Sequence, residues 1–222
     1  MTITVHHLEY SRSTRVLWLL EELGADYELR RYSRTKAWRA PPELEAIHPV
    51  GRAPLIEADG VALAESGAIL DWIVFDSGLP GAADFGPQTA DERQLYRFFM
   101  HYAEGSVMPP LVMRLILRKA RQAPVPFFVK PILKGITKKI EAAYPDGEIS
   151  RSFDFLDQHM ADRAWFVGDR ITAADVQMVF PVAAGLARGA GDRPHLSAWL
   201  DRVQARPAWQ RALDQGGPLT PG

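Results

Sequence analysis

The sequence predicts an α/β unit followed by an all-α unit, and three observations carry that prediction. Through residue 80, β-branched or alternating runs take turns with runs of helical period. Asp59-Gly60 stands between the apolar segments "PLIEA" and "VALA", the sequence form of a tight β-hairpin. Beyond residue 90 no alternating pattern returns, and the remaining apolar residues recur at helical spacing. The Gly-, Pro- and Ala-rich stretch "GLPGAADFGPQTADE" lies between the two parts. The expected boundaries are therefore 1–80 for the first domain, 81–89 for the linker and 90–222 for the second.

Each element has a local cause. "TITVHHL" is a short β-branched opening strand. In "STRVLWLLEELG", Val16, Leu19, Leu20 and Leu23 share one helical face, and Gly24 supplies the left-handed stop. "YELRRY" alternates as a strand. Pro41 and Pro42 suit the first turn of a short helix that His48-Pro49 must end. The hairpin follows, and Ser66 opens a helix through "GAILDWIVFDSG". In the second part, Thr172 and Asp175 of "RITAADVQMVFP" have the spacing of a capping box, with Ile171 and Val176 as its staple. That signal reads as structural.

Composition narrows the function. The chain has 222 residues, 26 Lys+Arg against 27 Asp+Glu, and no cysteine. Near-neutral charge argues against nucleic acid as a partner. The absence of cysteine removes thiolate metal sites and cysteine nucleophiles, so thiol chemistry here must use a thiol that the substrate supplies. No metal site is expected. "MTITVHHLEYSRS" lacks the basic and long apolar regions of a secretory signal, and a cytoplasmic location is the expectation.

Three places suit a small anionic ligand. At "ESG", the amides opening a helix and Ser66 could hold a carboxylate while Glu65 accepts from an ammonium group. Pro54 sits where a strand should begin; either it starts an edge strand, or a cis bond after Ala53 turns backbone groups toward a ligand. "YSRSTR" joins the first strand to the first helix, with Ser11 above a helix N-terminus.

Taken together, "YSRSTRVLWLLEELG", "APPELEAIHPVGRAPLIE", "LAESGAI", "YAEGSVMPPL" and "ITAADVQMVFP" resemble a glutathione transferase over essentially the whole chain, closest to the fungal membrane-associated type and its bacterial relatives. The resemblance implies a thioredoxin-like first domain, a helical-bundle second domain, a homodimer, and glutathione as co-substrate with no other cofactor. It implies a cis Ala53–Pro54 bond with Ala53 backbone groups on the cysteinyl part of glutathione. Glu65 and Ser66 would hold the γ-glutamyl end, and His48, with Arg39 behind it, the glycyl carboxylate. Ser11 would stabilise the thiolate, with Tyr10 as runner-up and Arg12 as a further cation. Tyr10, Arg12, Met108, Leu111 and Met113 would form the pocket for the electrophile. Asp175 would be the capping acid of the second domain.

The energetics are modest. A free thiol titrates near ~8.5, and lowering that by about two units takes ~2.7 kcal/mol of preferential anion stabilisation. One charge-assisted hydrogen bond at ~1.5–3 kcal/mol plus a helix terminus at ~0.3–1 kcal/mol is enough. Conjugation of glutathione to a small hydrophobic electrophile, as in detoxification, is the leading reading. A silent glutathione-fold binding protein and a glutathione-dependent peroxidase are the alternatives. Between Glu104 and Glu141 the charged residues are all basic, from Arg114 to Lys139. With Pro124, Pro126 and Pro131 interrupting it, this run reads as a solvated face ahead of a peripheral membrane contact.

Overall fold

The computed structural model describes residues 2–219. It begins with a four-stranded sheet built in the order expected from a strand–helix–strand unit plus a hairpin. β1 (Ile3–Leu8) leads into α1 (Thr14–Leu23), β2 (Tyr27–Tyr32) and the short α2 (Glu43–Ile47). β3 (Leu55–Ala58), β4 (Val61–Ala64) and α3 (Ser66–Phe75) follow. The spatial order is β2-β1-β3-β4, with β1 parallel to β2 and antiparallel to β3. Asp59 and Gly60 take φ of 49° and 82°, the two positive values that a two-residue hairpin turn of matching twist requires.

The question at Pro54 resolves on topology. β3 is an interior strand, paired to β1 on one side and β4 on the other, so the edge-strand reading does not hold. Pro54 stands one residue before the ladder, where its missing N–H costs nothing, and the Ala53–Pro54 bond is cis.

The remainder is helical. A 3₁₀ turn (Ala82–Phe85) interrupts the expected linker. α4 (Ala90–Tyr102) passes through a π-helical turn (Ala103–Val107) into α5 (Met108–Arg121). α6 (Lys130–Ala143), α7 (Pro145–His159), α8 (Ala173–Ala187), α9 (Pro194–Gln204) and α10 (Pro207–Gly216) complete the order. Prolines open α6, α7, α9 and α10, where the N–H they lack would be unpaired in any case. The last helix returns to the first: α10 packs on α1, with Trp209 edge-on to Trp18 at 5.1 Å. This return brings the end of the helical part beneath the β1–α1 loop.

The capping box of α8 is formed and does more than cap. Asp175 accepts from the Thr172 N–H and hydroxyl, and also from the Phe166 N–H and the Trp199 indole, joining three segments in the core. Burial raises its carboxyl to about 6 against the pull of those donors, so it is ionised at neutral pH.

The basic run divides by residue type. Arg114 pairs with Asp146 and Arg121 with Glu141, tying α5 to its neighbours. The lysines of α6 stay exposed, beside an exposed row of Ile132, Ile136 and Ile140. No helix among the described residues is long and apolar enough to cross a membrane.

Candidate active site

Two cavities meet where the β1–α1 loop faces the helices. The first, of about 490 Å³, is polar and lies over the ends of β1 and β3. Ser11, Arg39, Arg52 and Ala53 line it. The second, of about 360 Å³, lies between that loop and α5 and α8, with Tyr10, Trp38, Leu111 and Phe180 on its walls. Arg12 and Arg34 line both.

Ser11 is buried, and its hydroxyl ends a relay that reaches the far end of the chain. Its Oγ lies 2.7 Å from Ser13 Oγ and also accepts the Ser13 N–H at 3.2 Å. Ser13 Oγ is 2.8 Å from His7 Nδ1, and His7 Nε2 is 2.7 Å from the Gly216 carbonyl. The carbonyl can only accept, so Nε2 carries the proton. Burial depresses the His7 pKa, the ring is neutral, and Nδ1 is left as an acceptor. Ser13 therefore donates to His7, with the Leu8 carbonyl a longer second acceptor at 3.3 Å, and the Ser11 proton is free to point at Ser13 or at a ligand. A thiolate would win that choice, because hydrogen bonds to an ion are the stronger ones. Gly216 permits the approach: a Cβ there would stand 2.8 Å from the His7 ring.

A second network links the start of α3 to the π-helical turn. Arg15 is fully buried and donates through Nη1 to Ser66 Oγ at 2.9 Å and to Glu104 Oε1 at 2.6 Å. Arg12 reaches the same carboxylate at 2.9 Å. Burial brings Arg15 down to about 10 against the pull of Glu104, so it stays charged. Burial also opposes ionisation of Glu104, but the two arginines more than reverse this and hold its pKa below the usual value. Glu65, just ahead of α3, has a φ of 72°, and Tyr10 a φ of 51°. Both are sparsely populated for residues with a side chain, and such positions cluster at ligand sites.

The expected residues divide between these features. Ser11, Ala53 and Arg39 share the polar cavity. Tyr10, Arg12, Met108 and Leu111 share the second. Glu65 and Ser66 lie outside the lining of both, and Ser66 joins the network through Arg15. His48 closes α2, its Nδ1 accepts the Val50 N–H, and it does not line the polar cavity. Met113 is on a neighbouring open groove with Val112 and Ile116, not in the second cavity. The reason is helical phase: Met113 is five residues from Met108, about 140° round the helix, whereas Leu111, Val112, Leu115 and Lys119 stay in phase.

Ser13 and Arg15 lie inside "YSRSTR" and His7 inside "TITVHHL", but nothing in those stretches marks the roles the structure gives them. Arg15 left one trace: it sits four residues before Leu19, on the buried side of α1, where an arginine needs a partner.

Comparison with known proteins agrees with this layout. A family model described as the glutathione S-transferase N-terminal domain matches residues 1–74, and one for the C-terminal domain matches residues 111–207. Glutathione S-transferase 1 of Saccharomyces cerevisiae is 32% identical over 229 residues, covering 98% of this chain and 96% of that protein. The chain belongs to the glutathione S-transferase family. Glutathione S-transferase 3 of Schizosaccharomyces pombe is a further family relative, 35% identical over 217 residues, covering 96% of this chain and 87% of that one. Among solved structures, a glutathione S-transferase from Actinobacillus pleuropneumoniae superposes with a TM-score of 0.78 at 28% identity, covering 98% and 95% of the two chains. The theta class glutathione S-transferase of Xanthomonas axonopodis pv. citri, solved with glutathione bound, shares the fold, with a TM-score of 0.74 at 22% identity and coverage of 98% and 99%.

Proposed function

We propose that this transferase binds glutathione in the polar cavity, keeps its thiol ionised beside Ser11, and joins the sulfur to a small apolar electrophile in the second cavity. The observation that carries the reading is the position of the buried Ser11 hydroxyl. It lines the polar cavity together with Ala53 and belongs to the loop that also walls the apolar one. A thiol held by Ala53 backbone groups would present its sulfur to Ser11 and to the N-terminus of α1. The Ser11 proton turns from Ser13 to the sulfur, and no protein base is consumed, since the thiol proton leaves to solvent. The thiolate then attacks the electrophile across the shared Arg12 edge, forming the carbon–sulfur bond as the leaving group departs with its electron pair.

The remaining roles follow from placement. Ser66, oriented by Arg15, and Glu65 take the γ-glutamyl end. The glycyl carboxylate is assigned to Arg39, which lines the cavity, ahead of His48, whose ring is engaged by Val50. Residues 1–80 form the glutathione-binding part and 90–222 the part that shapes the electrophile pocket. Two copies pair, as the family resemblance implies, and light scattering checks it. The test of function is a pair of measurements on the purified chain: calorimetry with glutathione, and conjugation to 1-chloro-2,4-dinitrobenzene. Binding with turnover is expected. Binding without turnover would reduce the reading to a glutathione-binding protein, and the absence of both binding and turnover would overturn it.

A further inference from the structure

The second cavity holds more positive charge than a neutral electrophile calls for. Arg12, Arg34, Lys119 and Arg188 all reach its lining, and among the described residues no carboxylate does. The four are not equivalent. Arg12 is paired with Glu104. Arg34 donates its guanidinium to the Glu9, Tyr10 and Trp38 carbonyls, with the Glu9 carboxylate close by on the Arg34 N–H. Lys119 and Arg188 differ from both. Among the described residues, neither lies within ion-pair distance of a carboxylate.

Lys119 is exposed and held at the cavity wall, and at the half-buried Arg188 the unmatched charge is costly. Lys119 extends from α5 to place its Nζ 4.8 Å from the centre of the Trp38 ring, a cation–π contact that fixes the ammonium at the cavity wall. Arg188 is half-buried just beyond α8, and its pKa is lowered by burial and then by the neighbouring charge of Arg118. A cation that has lost water and faces another cation is stabilised by any anion that enters. Nor are these two placed for glutathione: both line the second cavity, and neither lines the polar one.

We propose that the electrophile for this enzyme is an apolar compound carrying a carboxylate or similar anionic group, held at the Lys119–Arg188 side while its apolar body lies against Trp38 and Phe180. This rests on the assignment of the second cavity to the electrophile. The reaction is unchanged: the glutathione sulfur adds to the electrophilic carbon, and the leaving group departs with its electrons.

A matched pair tests it. 4-Chloro-3,5-dinitrobenzoate and its methyl ester carry the same reacting carbon and the same chloride leaving group. Their kcat/KM values, each divided by its uncatalysed rate with glutathione, are expected to favour the acid at least tenfold. Lys119→Met with Arg188→Met should bring that ratio to near one, each single change part of the way, and salt should lower it in the parent protein. Calorimetry with the two aryl-glutathione products gives a reading independent of turnover, with the acid product binding at least tenfold tighter and the double variant losing the difference. A ratio near one in the parent protein, or a ratio that survives the double substitution, overturns the inference. Tighter, Lys119- and Arg188-dependent binding of the acid product without turnover of either substrate would uphold the anion site and sink the transferase reading instead. Failure to bind either product would overturn both.

Discussion

Asp175 and Arg15 are both completely buried charges, and they sit in opposite kinds of surroundings. Around Asp175, in the helical core, every partner is supplied. Two backbone N–H groups, a hydroxyl and an indole converge on its carboxylate. Around Arg15, between α1, α3 and the π-helical turn, only Nη1 is engaged, while Nε and Nη2 find no hydrogen-bond acceptor among the described residues. A charge whose capacity is fully used joins segments of the fold. A charge with capacity left over, bonded to Ser66 beside the positive-φ Glu65, is what the proposed reading uses to orient groups for a ligand.

Removing each charge should expose that difference. Asp175→Ala leaves the Phe166 and Thr172 amides and the Trp199 indole without their acceptor, at ~1–3 kcal/mol for each unmet buried donor. A loss of about 3–5 kcal/mol in urea denaturation is expected, enough to compromise folding. Arg15→Met replaces a buried charge by an apolar chain of similar length and leaves Glu104 still paired with Arg12. It should cost less than about 2 kcal/mol in stability but weaken glutathione binding, because Ser66 loses its orienting donor. Equal destabilisation by the two substitutions would erase the contrast.

A smaller effect is expected at the ligand itself. Glu65→Gln and Ser66→Ala should each weaken glutathione by ~1–3 kcal/mol in calorimetry, with little change in stability. Unchanged affinity in both would place the γ-glutamyl group elsewhere.

The smallest is a dependence on pH. Burial lowers the folded-state pKa of His7 below 6.5, so between that value and 6.5 the unfolded chain binds more protons than the folded one. The contribution of neutral His7 is intact above 6.5 and is lost as pH falls through the window. His7→Gln should be less stable at neutral pH and show a shallower decline from pH 7 downward. Parallel declines would mean that the ring does not titrate as its burial implies.

Local signals made most of the fold legible. Gly24, Asp59-Gly60, Thr172 with Asp175, and Pro41-Pro42 ahead of α2 each act within a few residues, and the elements formed where those residues stand. The candidate site was half legible for the opposite reason. Ser11, Ala53, Glu65 and Ser66 carry motif signals, but what orients them is remote in sequence: His7 depends on Gly216, and Ser66 on Arg15, whose partner Glu104 lies in another helix. Spacing cannot show such pairings, because the closure of α10 onto α1 creates them. Met113 shows a narrower point: helical phase sets it on the open groove that Arg12 and Met108 also line, rather than in the second cavity.

The central claim is that the Ser11 hydroxyl holds the glutathione thiolate. It is tested most directly by following thiolate ultraviolet absorbance against pH in the glutathione complexes of the parent protein, Ser11→Ala and Tyr10→Phe. The account predicts that the bound thiol titrates about two units below its free value of ~8.5 in the parent protein and in Tyr10→Phe. In Ser11→Ala it should return most of the way, with conjugation slowed at least tenfold and glutathione affinity nearly unchanged. A low thiol pKa that survives Ser11→Ala and is lost in Tyr10→Phe would contradict the account and give the role to the phenol.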